Sequence, residues 1–284
     1  MYLPSLLRRT LLTAPALGLA ALLSAAAPAL AEDKPLWELG VGIGALVFND
    51  YRGSNTTHAY VLPLPYFVYR GSLFKADDKG LRGLFLNQER VELELSVNAT
   101  TPVRNDSARS GMPDLRPTVE IGPQLDVHLW RSDARRLRLD LRVPVRTAFS
   151  VQTEPHLVGT FVAPNVSLDI AQHPGSEGWK LGLLAGPLFA DHRYDGYFYS
   201  VAPQYATATR PAFDAPGGYA GTQVLAALTR RYPNWWFGAY VRHDTLAGAS
   251  FASSPLVKRD SYWSGGLGVA WIIRRSTQRV ESEE

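Results

Sequence analysis

Acids and arginines recur at every second position in several stretches of this 284-residue chain. RVELELSVN carries Glu92 and Glu94 on its polar face, and TVEIGPQLDVHL carries Asp126. RRLRLDLRVPVR carries Arg138, Asp140, Arg142 and Arg146. Glu38, Asp169, Arg242 and Asp244 hold the same parity in stretches of their own. Such rows suit two kinds of chemistry. They can pair into a buried filling, because buried charges persist only when paired and hydrogen-bonded. They can also line a passage and select solutes by charge.

Catalytic spacing is weaker. None of the six histidines, His58, His128, His156, His173, His192 and His243, stands in an HExxH or paired-ligand spacing, so no metal or other cofactor is expected. The nucleophile arrangement with most in its favour is His243 with Ser261, which share an outward parity on neighbouring stretches. It needs a hydrogen bond between them and a third group to orient the imidazole, and no suitable outward Asn or Asp stands nearby. No enzyme is expected, and an outer-membrane lipid hydrolase is the remote alternative.

The elements that carry these residues follow from composition and period. Arg8 and Arg9 precede an apolar stretch ending Ala29-Leu30-Ala31, the layout of an export signal, with cleavage expected after Ala31. There is no cysteine, which excludes disulfides and thiolate sites. Five lysines and 24 arginines are scattered and no Gly-rich phosphate loop occurs, so the pI of about 9.1 does not imply nucleic acid. After residue 31 no apolar run reaches the roughly 18 residues of a membrane helix. A chain of this kind can cross a membrane only as a closed barrel, which pairs every backbone group.

Apolar and polar residues alternate with period two almost throughout. Trp37, Leu39, Val41 and Ile43 alternate with Glu38 and three glycines, Gly40, Gly42 and Gly44. Twelve strands are predicted near 36–47, 57–70, 72–77, 80–86, 90–98, 117–130, 135–149, 157–171, 178–191, 217–230, 234–246 and 260–272. Connections of about 9, 2, 18, 7, 25 and 13 residues alternate with short ones, as the external loops and periplasmic turns of an outer-membrane barrel do. The expected fold is therefore an all-β, transmembrane antiparallel barrel over 32–272, with both termini periplasmic and a polar tail over 273–284. Trp37, Trp130, Trp179, Trp235, Trp236 and Trp271 fall at the periplasmic ends, with Tyr69, as an interfacial girdle would. The glycine row would face a crowded lumen, where small residues make room. Tyr194, Tyr197, Phe198 and Tyr199, in the long loop 192–216, suit either an exposed adhesive patch or a plug folded into the barrel.

FNDYRGS after the first strand, LPLPYFVYRG, DGYFYSV and the C-terminal SSPLVKRDSYWSGGLGVAW resemble the MipA/OmpV family of outer-membrane proteins across essentially the whole exported chain. Tyr51, Gly53 and Ser54 match the family's Tyr-x-Gly-Ser, and Ser254-Pro255 its Ser-Pro in the last long loop. Gly266, Val269 and Trp271 look like the insertion signal that the barrel-assembly machinery reads, although the chain continues beyond the terminal aromatic. The resemblance implies a barrel in the Gram-negative outer membrane, in contact with its lipid. For one branch it implies a scaffold linking a murein transglycosylase to a murein synthase, and for another an adhesin or porin-like role. From the residues alone, a salt-bridged filling and a narrow charged pore both remain open.

Overall fold

Period-two alternation becomes a closed sheet in the computed structural model, which describes residues 32–72, 74–77, 80–132, 136–173 and 178–282. The expected export signal, 1–31, lies outside these residues. The strands are β1 (Glu32–Pro35), β2 (Trp37–Asn49), β3 (Thr57–Arg70), β4 (Phe74–Asp77), β5 (Gly80–Asn87), β6 (Val91–Ala99), β7 (Thr118–Arg131) and β8 (Leu137–Ser150). They continue as β9 (Leu157–Val162), β10 (Asn165–Ala171), β11 (Gly178–Ala190), β12 (Gly218–Arg231), β13 (Trp235–Thr245), β14 (Ser261–Arg275) and β15 (Arg279–Ser282). Each of β2 to β14 pairs antiparallel with its neighbours, and β14 returns to β2 through Gly268↔Gly44 and Trp271↔Val41. Both β9 and β10 lie between β8 and β11, so they are two halves of one stave. The result is a closed antiparallel barrel of twelve staves.

The predicted strand 157–171 breaks at Ala163-Pro164. Proline has no N–H for the ladder, while the Ala163 N–H keeps the β8 register across the break by donating to the Pro144 carbonyl at 3.2 Å. Leu39, Val41, Ile43, Val119, Ile121, Leu125, Val241, Leu267 and Val269 lie exposed on the outside, an apolar belt fitted to hydrocarbon.

Gly40 and Gly42 are required by close approach. A Cβ at Gly40 would collide with the Trp271 carbonyl, and one at Gly42 with the Val269 carbonyl and with Ala270. Gly44 is roomier, its nearest neighbour being Leu267 O at 3.5 Å. The first two glycines thus let β2 press against β14.

The first and last described strands, β1 and β15, lie together at one end of the barrel, here the terminal end. Trp37, Trp130, Trp179, Trp235, Trp236 and Trp271 all cluster there, and Trp235 stacks on Trp271 with ring centroids 6.1 Å apart. Trp236 departs from the predicted girdle. Its neighbour Trp235 points out, so it points in, against Tyr66 at 5.9 Å. The stretch after 272, expected to trail as a polar tail, continues as strand to Arg275. Arg279–Ser282 then pairs with Glu32–Pro35, and Arg279 donates to the Asp33 carbonyl at 2.7 Å. Backbone pairing, rather than an apolar face, orders this segment.

The opposite, loop end is capped. Helix α1 (His192–Tyr199) starts at Asp191, whose carboxylate accepts from Tyr194 N–H at 2.7 Å. It packs with loop residues Tyr51, Val103, Leu115, Phe213, Ala215, Leu246, Ala249 and Phe251 in an apolar cluster over the mouth.

Candidate functional site

The inward-facing charges form three groups. At the terminal end, Glu38 is wholly buried and holds Arg231 at 2.7 Å, Arg70 at 3.2 Å and the Tyr66 hydroxyl at 3.4 Å. These partners come from the last residues of β12 and β3. Tyr66, Val68, Trp236, Ala270 and Ile272 pack beside them, so this end of the interior combines an ion pair with an apolar floor.

A charged belt covers the wall from β5 to β10. Glu94 accepts from Arg82 at 3.1 Å and from Gln124 at 2.8 Å, and Gln124 also donates to Asp126 at 2.9 Å. Arg142 stands among three acids, Asp126 at 3.6 Å, Asp140 at 3.8 Å and Asp169 at 3.5 Å. Asp140 is bound by Arg138 and, at 2.9 Å, by His128. Arg146 forms no ion pair among the described residues and donates to Ser96 Oγ, 3.1 Å from its Nε. Glu92 stands directly opposite Asp126 in the β6–β7 register, and its Oε1 is buried without a hydrogen-bond partner among the described residues. Like charges facing each other across a strand pair are unfavourable. One oxygen from each of Glu92, Glu94 and Asp126 lies within 4.8 Å of the others, a spacing that suits a cation. The arginines and Gln124 already serve two of the three.

The third group is at the mouth and was only half visible in the sequence. Arg242 and Asp244 pair on β13, but Asp244 also binds Arg52 of the first loop at 3.0 Å. Arg52 in turn donates to the Ala220 carbonyl at 2.7 Å. Deeper in, Tyr194 of α1 reaches Glu120 at 3.0 Å, and Glu120 accepts from Asn98 at 2.8 Å. The aromatic cluster therefore folds into the barrel, with Tyr199 stacked on Phe251, centroids 3.7 Å apart.

The family-motif loop positions make the clasp around this plug. The Tyr51 hydroxyl donates to the Leu256 carbonyl at 2.9 Å, and Ser54 Oγ to Asp106 at 2.7 Å. Ser254 Oγ donates to the Tyr199 carbonyl at 2.7 Å, with Pro255 in the turn that follows. The Gly53 carbonyl accepts from Lys258 and Arg259 N–H, and Gly53 has φ 91°, a left-handed conformation that glycine adopts without steric cost. Asp195, on α1, is almost fully buried, and neither carboxylate oxygen has a hydrogen-bond partner among the described residues. Burial raises its pKa to about 7, with Arg52 opposing the rise and Asp191 adding to it.

Parity missed Arg70 and Arg231, which sit at strand ends, and Arg82, where a bulge between Leu84 and Leu86 breaks the alternation. His243 and Ser261 are not brought together. His243 faces Trp263, ring centroids 4.6 Å apart, while Ser261 lies opposite Thr245.

The family model described as MltA-interacting protein MipA matches residues 41–273, nearly the whole barrel. The chain belongs to this family. A relative of this MipA-family barrel, "Outer membrane protein OmpV" of Vibrio cholerae serotype O1, is 25% identical over 217 residues, covering 72% of this chain and 76% of the relative. Among solved structures, "Bacterial polysaccharide outer membrane secretin" gives a TM-score of 0.42 at 9% identity, over 86% of this chain and all of that one. "CymD monoaromatic hydrocarbon channel" gives 0.33 at 13% identity, over 85% and 90%. The MipA-family barrel is a Gram-negative outer-membrane protein.

Proposed function

We propose that this MipA-family barrel is a closed, non-catalytic envelope protein that works as a scaffold, through the surfaces at its ends rather than by passing solutes. The capped mouth supports this reading: α1 donates from Tyr199 to the Arg52 carbonyl of the first loop and from Tyr194 to Glu120 of the barrel wall, and accepts from Ser254 of the last loop. The ion pair at Glu38 and its apolar floor support closure at the other end. The family description, which speaks of interaction with MltA, supports a murein transglycosylase as partner and a periplasmic orientation for the terminal end. A murein synthase would be the second partner of such a scaffold.

The test is binding of purified murein transglycosylase to the protein reconstituted in vesicles. Retention that is lost when Trp37 to Arg70 turn-side residues and the Arg274-Arg275 pair are masked by a bulky label supports the scaffold. No retention contradicts it.

A narrow charged pore is the second reading. Its specific support is the Asp169 side chain, 41% exposed beside Arg142, which leaves part of the belt wet. Conductance separates the two readings.

A further inference from the structure

Among the described residues, the sheet closes through one short pairing, that of β3 with β4. A strand that crosses the hydrocarbon core needs about 9 to 11 residues. β2, β3, β6, β7, β8, β11, β12, β13 and β14 meet that length, whereas β4 has 4 residues. Among the described residues, β3 pairs with β4 only through Tyr69↔Ala76 and Arg70↔Lys75. On its other side β3 pairs with β2 along its whole length, from Asn49↔Thr57 to Trp37↔Tyr69. From Thr57 to Val68 one edge of β3 therefore has no described strand beside it.

The sequence is fitted to that open edge. The Thr56 carbonyl and the Arg70 N–H both bond toward β2, at 3.1 and 2.8 Å. Backbone groups alternate sides along a strand, so even-numbered residues of β3 face β2 and odd-numbered ones face the gap. Pro63 and Pro65 are odd. They remove two N–H groups that would otherwise face hydrocarbon unpaired, and proline on an edge also blocks docking of a further strand.

The inner face of β3 differs from the charged belt of β5 to β10. Side chains of β3 at the parity of Tyr66, which reaches Glu38, point inward. Two of these, Tyr60 and Leu62, are 42% and 45% exposed, whereas Glu94, Asp126 and Asp140 of the belt are 1% exposed or less. Phe48 stacks on Tyr60, centroids 5.5 Å apart, extending the apolar surface onto β2. Val61 and Phe67, on the outer face of the same strand, are exposed to the bilayer side. With α1 over the mouth, this apolar inner surface is reached from the side.

We propose that the gap between β3 and the β4–β5 hairpin is a lateral window that admits the hydrocarbon chain of a membrane lipid onto the inner face of β3, at Tyr60 and Leu62. The window is independent of whether the protein is a scaffold or a pore.

The chain has no cysteine, so single cysteines give unambiguous labels. Leu62→Cys, Val61→Cys and Leu225→Cys are each labelled with a small fluorophore in the full-length protein, refolded into phosphatidylcholine vesicles with or without acyl-chain nitroxide lipid. Val61 reports the lipid face, and Leu225 of β12, opposite Arg242 of β13, reports the interior away from the window. The expected result is loss of Leu62 fluorescence equal to that at Val61, with Leu225 unquenched. Leu62 unquenched alongside Leu225 overturns the proposal. So does disulfide-linked dimer formation by Ala59→Cys, which would show a second copy covering the edge. If Leu62→Cys fails to insert, Tyr60→Cys takes its place with the same criteria.

Discussion

The Ser254 hydroxyl joins the last outer loop to the end of α1, donating to the Tyr199 carbonyl at 2.7 Å while accepting from Leu256 N–H at 3.2 Å. A buried polar group deprived of its partner costs about 1 to 3 kcal/mol. Ser254→Ala is therefore expected to leave the barrel intact and loosen the plug. Limited proteolysis of the reconstituted protein checks this: cleavage within 191–217 should accelerate, and an unchanged rate would contradict the clasp.

The belt makes opposite demands of two neighbouring acids. Glu94 is fully buried and paired with Arg82, so Glu94→Ala should cost about 3 to 5 kcal/mol, the usual penalty for breaking a buried pair. Glu92 faces Asp126 and has no ion-pair partner within reach among the described residues, so Glu92→Gln should be neutral or stabilising. Urea unfolding in vesicles measures both. A large loss in Glu92→Gln would instead point to a cation held by the trio.

Closure should depend on pH through Asp195. Its pKa is raised from 3.8 in the free side chain to about 7 in the docked plug, chiefly by burial. The docked state thus binds the proton more tightly than the undocked state. Its contribution to docking is fully present below about pH 4 and is lost as the pH rises through 7. Hydrogen exchange of the α1 amides, corrected for intrinsic rates, should show weaker protection at pH 8 than at pH 5. Asp195→Asn should remove that difference, and a difference that survives the substitution would assign it to another group.

The glycines of β2 are not equivalent. Gly42→Ala places a methyl against the Val269 carbonyl and Ala270, and Gly44→Ala meets nothing closer than 3.5 Å. Folding yield, read from heat-modifiable gel migration, should fall for Gly42→Ala and hold for Gly44→Ala. Equal yields would mean that β2 and β14 can separate to admit a side chain.

The staves were legible because each apolar residue facing lipid alternates with one facing inward, a signal that survives even where the inward residue is glycine, as in Trp37–Gly44. Parity also placed Glu94, Asp126 and Arg142 on one face. It could not pair them, because ion pairing depends on which staves become neighbours and on their register. Arg52 was out of reach, since a loop has no period. The plug left one faint mark, Asp191 as a helix cap ahead of Tyr194, lost in a loop whose aromatic residues suit a surface as well as a core. The shortness of β4 was hidden too, because the stretch from residue 72 to 77 has strand character at both ends and only the register shows how little of β3 it covers.

Planar-bilayer conductance of the refolded full barrel tests closure most directly. A silent bilayer, with insertion shown by heat-modifiable migration, is the expected result, and discrete steps should emerge only when both closures are broken, as when Tyr51→Ala and Ser254→Ala at the clasp are combined with Glu38→Ala at the floor. Steps from the unaltered protein that shift in size with Arg142→Ala would contradict closure and make the charged belt a working pore.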